Sequence, residues 1–195
     1  MKLVVGDLST WSLRAWMCVQ LSELKIEVQS VALGAQGYQQ QLAQYSPSML
    51  VPVLIDGDLV VHDSLAICEY LNELCGGRLY PSVAAERAQA RSLLAELHSG
   101  FTHLRSTCPF TLDAVTAVDK TVDINKELCR LSAIFDRTKG AFMFSQPGAV
   151  DAFYAVMAQR LASYGVTLEG RAGDYQRSLL EWPLFKAAMQ QLDTW

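Results

Sequence analysis

Residues 50–74, LVPVLIDGDLVVHDSLAICEYLNEL, constrain the fold of this chain more than any other stretch. Residues 51–55 form a short apolar strand headed by Val51 and Pro52, residues 56–58 a turn, and residues 59–61 a second strand. An Asp-Gly turn between two apolar runs is a strong hairpin signal, because glycine adopts the positive φ such turns need. Asp63 and Ser64 then open a helix, with Ala66, Ile67, Tyr70, Leu71 and Leu74 predicted on its apolar face. Pro52 cannot donate to a strand ladder, so it belongs at a strand's first residue or in a special turn, where a cis bond fits.

The residues around this hairpin supply the rest of an α/β unit. Residues 2–5 are an apolar strand and residues 6–10 a loop. A helix from Trp11 carries Leu13, Trp16, Met17, Leu21 and Leu24 on one side, and residues 26–31 make the next strand. A β-α-β unit of this length predicts a parallel pair with a right-handed crossover. Residues 34–46 are polar and glutamine-rich, and predict a loop with a short helix at 38–44. The order β-α-β-α-β-β-α over residues 1–75 is a thioredoxin-like plan. Residues 76–81, GGRLYP, break the pattern and read as a linker. Everything beyond is helical by periodicity: 84–106, ended by Cys108-Pro109, then 119–138, 148–164, 173–180 and 183–193, the last opened by Pro183. The predicted organisation is an α/β domain at 1–75 followed by an all-α domain at 84–195.

A hydrophobic content of 51% against 18% charged residues describes a well-packed globule and argues against disorder. The net charge of −4 disfavours a nucleic-acid or anionic-membrane surface, which needs a basic face. No apolar run approaches the length of a membrane span, and MKLVVGD reads as a strand rather than a signal peptide. The five cysteines (Cys18, Cys68, Cys75, Cys108 and Cys129) are scattered with no CxxC. The three histidines (His62, His98 and His103) show no metal-cage spacing. Reduced thiols in a cytosolic protein without a metal are therefore expected.

A Val-Pro hairpin followed by Asp-Ser at a helix start resembles the glutathione half-site of the glutathione S-transferase family. The resemblance implies a backbone pairing of Val51, before a cis Pro52, with the cysteinyl part of glutathione. It also implies that Asp63 and Ser64 hold the γ-glutamyl end. A helix N-terminus with a hydroxyl suits a carboxylate, and an aspartate suits an α-ammonium. The alternative for Asp63 or Ser64 is plain helix capping. The stretch Ser9-Thr10-Trp11-Ser12-Leu13-Arg14 resembles the serine-type segment of zeta-class transferases and a bacterial variant of it. By that resemblance Ser9 takes the catalytic serine's place, Thr10 is a second hydroxyl, and Trp11 replaces a cysteine. Hydroxyl donors at a helix start favour a thiolate, although Ser and Thr at such positions also cap helices, the alternative for Ser9 and Thr10; Ser12 reads as a first-turn helix residue with at most a secondary contact. Leu50, Val51, Pro52, Asp63, Ser64 and Trp11 make up the glutathione-binding set that the resemblance implies, with Ser9 and Thr10 catalytic.

Residues 95–105 and 142–154 resemble the first long helix and the buried central helix of a bacterial branch of the same family. Two departures stand out. Gly148 occupies the position where transferases place Ser or Thr three residues before Asp151, which predicts a weaker cap. Met49 and Leu50 occupy the positions of a glycine and a basic residue near glutathione's glycyl carboxylate. His98 and His103 fall on the helix that lines the second-substrate cleft in the family, where a histidine can serve as a general acid or base but packing is the ordinary role.

The function implied is glutathione-thiolate attack on an electrophilic small molecule, giving conjugation, isomerisation or ether cleavage by a cytoplasmic homodimer. Glutathione would be the co-substrate, with no metal. A transferase-fold binding or regulatory protein without catalysis is the rival that Met49, Leu50 and Gly148 support. A thiol-disulfide oxidoreductase would need a cysteine at the first helix's start, and residues 9–12 hold none.

Overall fold

The computed structural model describes residues 1–115, 121–192 and 194–195. Four strands, β1 (Lys2–Gly6), β2 (Glu27–Val31), β3 (Val53–Asp56) and β4 (Leu59–His62), form one sheet in the order β2-β1-β3-β4. β1 and β2 run parallel, with Lys2 opposite Glu27 and Gly6 opposite Val31; β1–β3 and β3–β4 are antiparallel. The hairpin turns at Gly57, whose φ of 59° is the left-handed geometry expected of the Asp-Gly signal.

Alternation along β1 sends Leu3 and Val5 to one face and Val4 to the other. The first face meets α1 (Thr10–Ser22) and α3 (Ser64–Leu74). The second meets Leu42 of α2 (Tyr38–Ala43), with Tyr38 and Tyr45 alongside. Covering on both faces explains why β1 and β3 read as continuous apolar runs rather than alternating ones. The buried residues of α3 are Ser64, Ile67, Cys68, Leu71 and Asn72, while Ala66 and Leu74 are exposed. Of the predicted apolar face Ile67 and Leu71 are buried, and Cys68, which meets Cys18 of α1, joins them in place of Ala66 and Leu74.

The helical remainder contains α4 (Ala84–Ser99), α5 (Thr102–Thr107), α6 (Val122–Phe135), α7 (Ala149–Ser163), α8 (Gly170–Glu181) and α9 (Pro183–Leu192). The single helix predicted over 84–106 is two helices. Phe101 takes a positive φ of 58°, and a Cβ at Gly100 would lie 2.7 Å from the Glu96 carbonyl oxygen. Glycine lets the chain turn there, and Arg105 bonds the freed Gly100 and Leu97 carbonyls. The start of the helix predicted at 119–138 lies partly outside the described residues; its described part begins at Val122, capped by Thr121.

α7 is the central helix, buried along nearly its whole length and packed on α1, α4 and α8. Its N-terminus is tied to the linker: the Ala149 N–H donates to the Leu79 carbonyl at 2.9 Å, and the Leu79 N–H donates to Asn72 Oδ1 at 3.1 Å. The Asp151 carboxylate accepts from the backbone N–H groups of Gly148 and Met143 and from the Tyr175 hydroxyl at 2.6 Å. The acidic half of a capping box is thus present. A Cβ at Gly148 would meet the Leu79 carbonyl oxygen at 2.8 Å. The close approach of the linker accounts for glycine where a hydroxyl residue was expected.

Candidate functional site

The first turn of α1 is set by local hydrogen bonds among small polar residues. Ser9 is the N-cap, its Oγ accepting the Ser12 N–H at 3.2 Å, and Ser12 Oγ in turn accepts the buried Gly6 N–H at 3.1 Å. Ser12 is therefore structural, as its position predicted. Ser9 spends only its acceptor capacity on the cap, so its own O–H remains free to donate. Thr10 is nearly buried, and Trp11 is half-buried.

The second wall comes from the hairpin. The Val51–Pro52 peptide is cis, and the strand ladder begins at Val53, which leaves the Val51 backbone outside it. Met49 holds a φ of 51°, the left-handed backbone that suits the glycine it replaces, at a cost of about 1 kcal/mol. Leu50 projects to solvent with 69% of its surface exposed. Asp63 sits at the N-cap of α3 with φ 77°; its Oδ1 accepts the N–H groups of Leu65 and Ala66 at 2.8 and 3.3 Å. Ser64 is 1% exposed and its hydroxyl has no partner among the described residues. A buried hydroxyl beside a helix N-terminus, left without a bond, is a donor awaiting an acceptor.

These walls enclose a cleft of about 420 Å³ lined by Trp11, Ser48, Leu50, Val51, Pro52, His62, Asp63, Ser64 and His98. All six residues expected to bind glutathione line it. Ser9 and Thr10, expected to be catalytic, are not among the lining residues; they lie at the α1 N-terminus directly before Trp11. The glutamines Gln40 and Gln41 of α2 are exposed and do not line the cleft.

Sequence reasoning did not anticipate what surrounds Trp11. The Arg14 and Arg105 guanidinium carbons lie over its ring at 4.5 and 4.9 Å, and His98 packs edge-on at 5.1 Å. Arg14 is fully buried, with Nε and Nη1 unpaired. Burial, reinforced by the like charges of Arg105 and Arg160, pushes its pKa well below the ordinary arginine value. Burial also lowers Arg105, and it lowers Arg160 to about 10 with Arg105 adding to the effect. Arg105 and Arg160 donate to backbone carbonyls rather than to carboxylates. The only sequence signal for this cluster was Arg14 itself, one turn into α1. Arg105 and Arg160 are fifty-five residues apart and meet only through folding.

The five cysteines are free, and no group of three or more His, Cys, Asp or Glu side chains among the described residues could hold a metal. Among the described residues no helix is long and apolar enough to cross a membrane.

Residues 8–74 match the glutathione S-transferase N-terminal domain family. A glutathione transferase homolog from Burkholderia GL BGR1, solved with bound glutathione, superposes with a TM-score of 0.76 at 22% identity, covering 100% of this chain and 98% of that one. A bacterial zeta-class maleyl pyruvate isomerase superposes with a TM-score of 0.72 at 20% identity, covering 96% of each chain. Among sequence relatives, a probable maleylacetoacetate isomerase of Vibrio cholerae is 38% identical over 93 residues, 46% of this chain and 43% of that protein. The match thus spans less than half the length of that relative. A stringent starvation protein A homolog of Coxiella burnetii is 25% identical over 199 residues, covering 100% of this chain and 93% of that protein.

Proposed function

On the premise of a glutathione S-transferase fold with a matching N-terminal domain, we propose that this chain is a glutathione-dependent enzyme acting on a small anionic electrophile. One observation carries the reading. A cleft framed by cis-Pro52, the Asp63 carboxylate and the unpartnered Ser64 hydroxyl faces the N-terminus of α1. Asp63 Oδ2 meets the γ-glutamyl α-ammonium, Ser64 Oγ and the α3 N-terminus meet its carboxylate, and the Val51 backbone pairs with the cysteinyl residue. The Ser9 O–H then donates to the sulfur, which favours the thiolate over the thiol.

The Arg14, Arg105 and Arg160 cluster narrows the electrophile. The three guanidiniums do not line the cleft; set behind Trp11, with Asp63 near Arg14 and Glu127 near Arg105, they leave a net positive field that favours a carboxylate-bearing substrate. The isomerase name of the Vibrio cholerae relative agrees with this chemistry. In such a reaction the thiolate adds to a cis double bond conjugated to a carbonyl, moving an electron pair onto the carbonyl oxygen. Rotation about the resulting single bond and expulsion of the thiolate restore the double bond as trans, with no net consumption of glutathione. The test is glutathione-dependent isomerisation of maleylacetone by the wild type and by Ser9→Ala. Turnover that falls at least about tenfold in the variant supports the reading, and absence of wild-type turnover overturns the isomerase assignment.

Met49 and Leu50, in the places of a glycine and a basic residue, support a second reading, a transferase-fold binding protein without catalysis, and the Coxiella burnetii relative that matches over the full length carries no transferase name. A thermal shift separates the two. Glutathione at 100 times its Kd stabilises a true receptor by about 2.7 kcal/mol, and a chain that does not bind it shows no shift.

A further inference from the structure

Asp63 is already engaged by protein groups. Its Oδ1 is committed to the first turn of α3, and its Oδ2 lies 3.0 Å from His98 Nε2, which reaches it from the last turn of α4. His98 Nδ1 is buried and has no partner. Among the described residues the imidazole therefore makes one polar contact, with the carboxylate oxygen that an incoming α-ammonium needs. The two cationic claimants cannot both take Oδ2 at hydrogen-bond distance without lying against each other.

The other charged groups around His98 do not relieve this conflict. Arg14 of α1 and Arg105 of α5 lie over the Trp11 ring that His98 packs against, and both add positive charge. Glu96, on the same helix as His98, is held in a bidentate pair by Arg130 of α6. His62 lines the same cleft from the end of β4. Asp63 is thus the anion that His98 and an ammonium ligand share.

Building on the glutathione reading above, we propose that His98 is a positioning residue for Asp63 that competes with the ligand's α-ammonium and links occupancy of the half-site to proton release. A neutral His98 donates through Nε2 and yields to the ammonium. A protonated His98 holds Asp63 as an ion pair and repels the ammonium. Histidine is the side chain that changes charge between about pH 5 and 8, so binding weakens as pH falls through that range. By reciprocity, a bound ligand disfavours protonation of His98.

The probe is S-methylglutathione, which keeps the α-ammonium and both carboxylates but has no titrating thiol. Its Kd is measured calorimetrically at about pH 8 and about pH 5.5. The wild type is expected to lose about fivefold or more in affinity at the lower pH, while His98→Asn and His98→Gln stay within about twofold. His62→Asn retains the dependence. In the wild type, imidazole NMR signals of His98 must titrate at lower pH when the probe is saturating, a readout that needs no variant. An equal pH dependence in the His98 variants, its disappearance in His62→Asn, or an unshifted His98 titration overturns the proposal while leaving glutathione binding in place. Absence of binding to the wild type at both pH values overturns the glutathione reading together with it.

Discussion

The guanidinium carbon of Arg14 lies 4.5 Å from the centre of the Trp11 ring, in a fully buried position with two nitrogens unpaired. Removing an uncompensated buried charge in favour of an apolar group of similar volume is often neutral or stabilising. Arg14→Met is therefore expected to leave stability unchanged or to raise it by up to about 2 kcal/mol in urea unfolding, while lowering turnover of a carboxylate substrate. A large destabilisation would mean that Arg14 has a structural role the geometry does not show.

Ser64 separates binding from folding. Its buried hydroxyl has no partner among the described residues, so Ser64→Ala is expected to change the unfolding free energy by less than about 1 kcal/mol. The same substitution removes a hydrogen bond to a charged ligand group, so the calorimetric Kd for glutathione rises about tenfold or more. Equal binding by the two proteins would remove Ser64 from the site.

Leu50 lines the cleft and exposes 69% of its surface where the family resemblance expects a cation. Leu50→Lys is expected to tighten glutathione by about three- to tenfold at low salt, and most of that gain disappears as salt screens an exposed pair. Titration at two ionic strengths reads both effects.

Gly148 is set by the backbone of Leu79, not by the cap of α7. Gly148→Ser supplies the hydroxyl of a full capping box but places a Cβ 2.8 Å from the Leu79 carbonyl oxygen. Overpacking against backbone outweighs one added hydrogen bond, so the variant is expected to lose about 1–3 kcal/mol in thermal or urea unfolding. A gain in stability would show that the linker moves aside.

Asp151 carries a pH signature. Burial raises its pKa to about 6, although Tyr175, Met143 and Gly148 all donate to it and pull the other way. An aspartate in the unfolded chain titrates near 3.9, so between about pH 4 and 6 the folded state binds more protons and stability falls as pH rises. The contribution is full below the unfolded value and lost above the folded one, on the order of 2–3 kcal/mol across the window. Asp151→Asn should flatten that slope in unfolding measured from pH 4 to 7. It should also cost about 2 kcal/mol at neutral pH, because an amide cannot accept all three donors.

Much of this was legible in the sequence because it is local. The hairpin at Gly57, the cis bond before Pro52, the Asp63 cap and the Ser9 cap are decided within a few residues by turn geometry, proline and short polar side chains. Helical periodicity located the helices to within a few residues. It failed where neighbours intervene: at Gly100, where Arg105 takes up freed carbonyls, and on α3, where Cys68, meeting Cys18 of α1, is buried in place of Ala66 and Leu74.

The sequence by itself determined the elements, their order and the cleft's hairpin wall, since each depends on contacts between residues close in the chain. Only the tertiary structure decided which charges meet. Arg14, Arg105 and Arg160 come from three helices, and His98 reaches Asp63 across thirty-five positions. No local pattern encodes such pairs, because their energies depend on burial and distance that exist only after α4 and α7 have packed against the sheet domain.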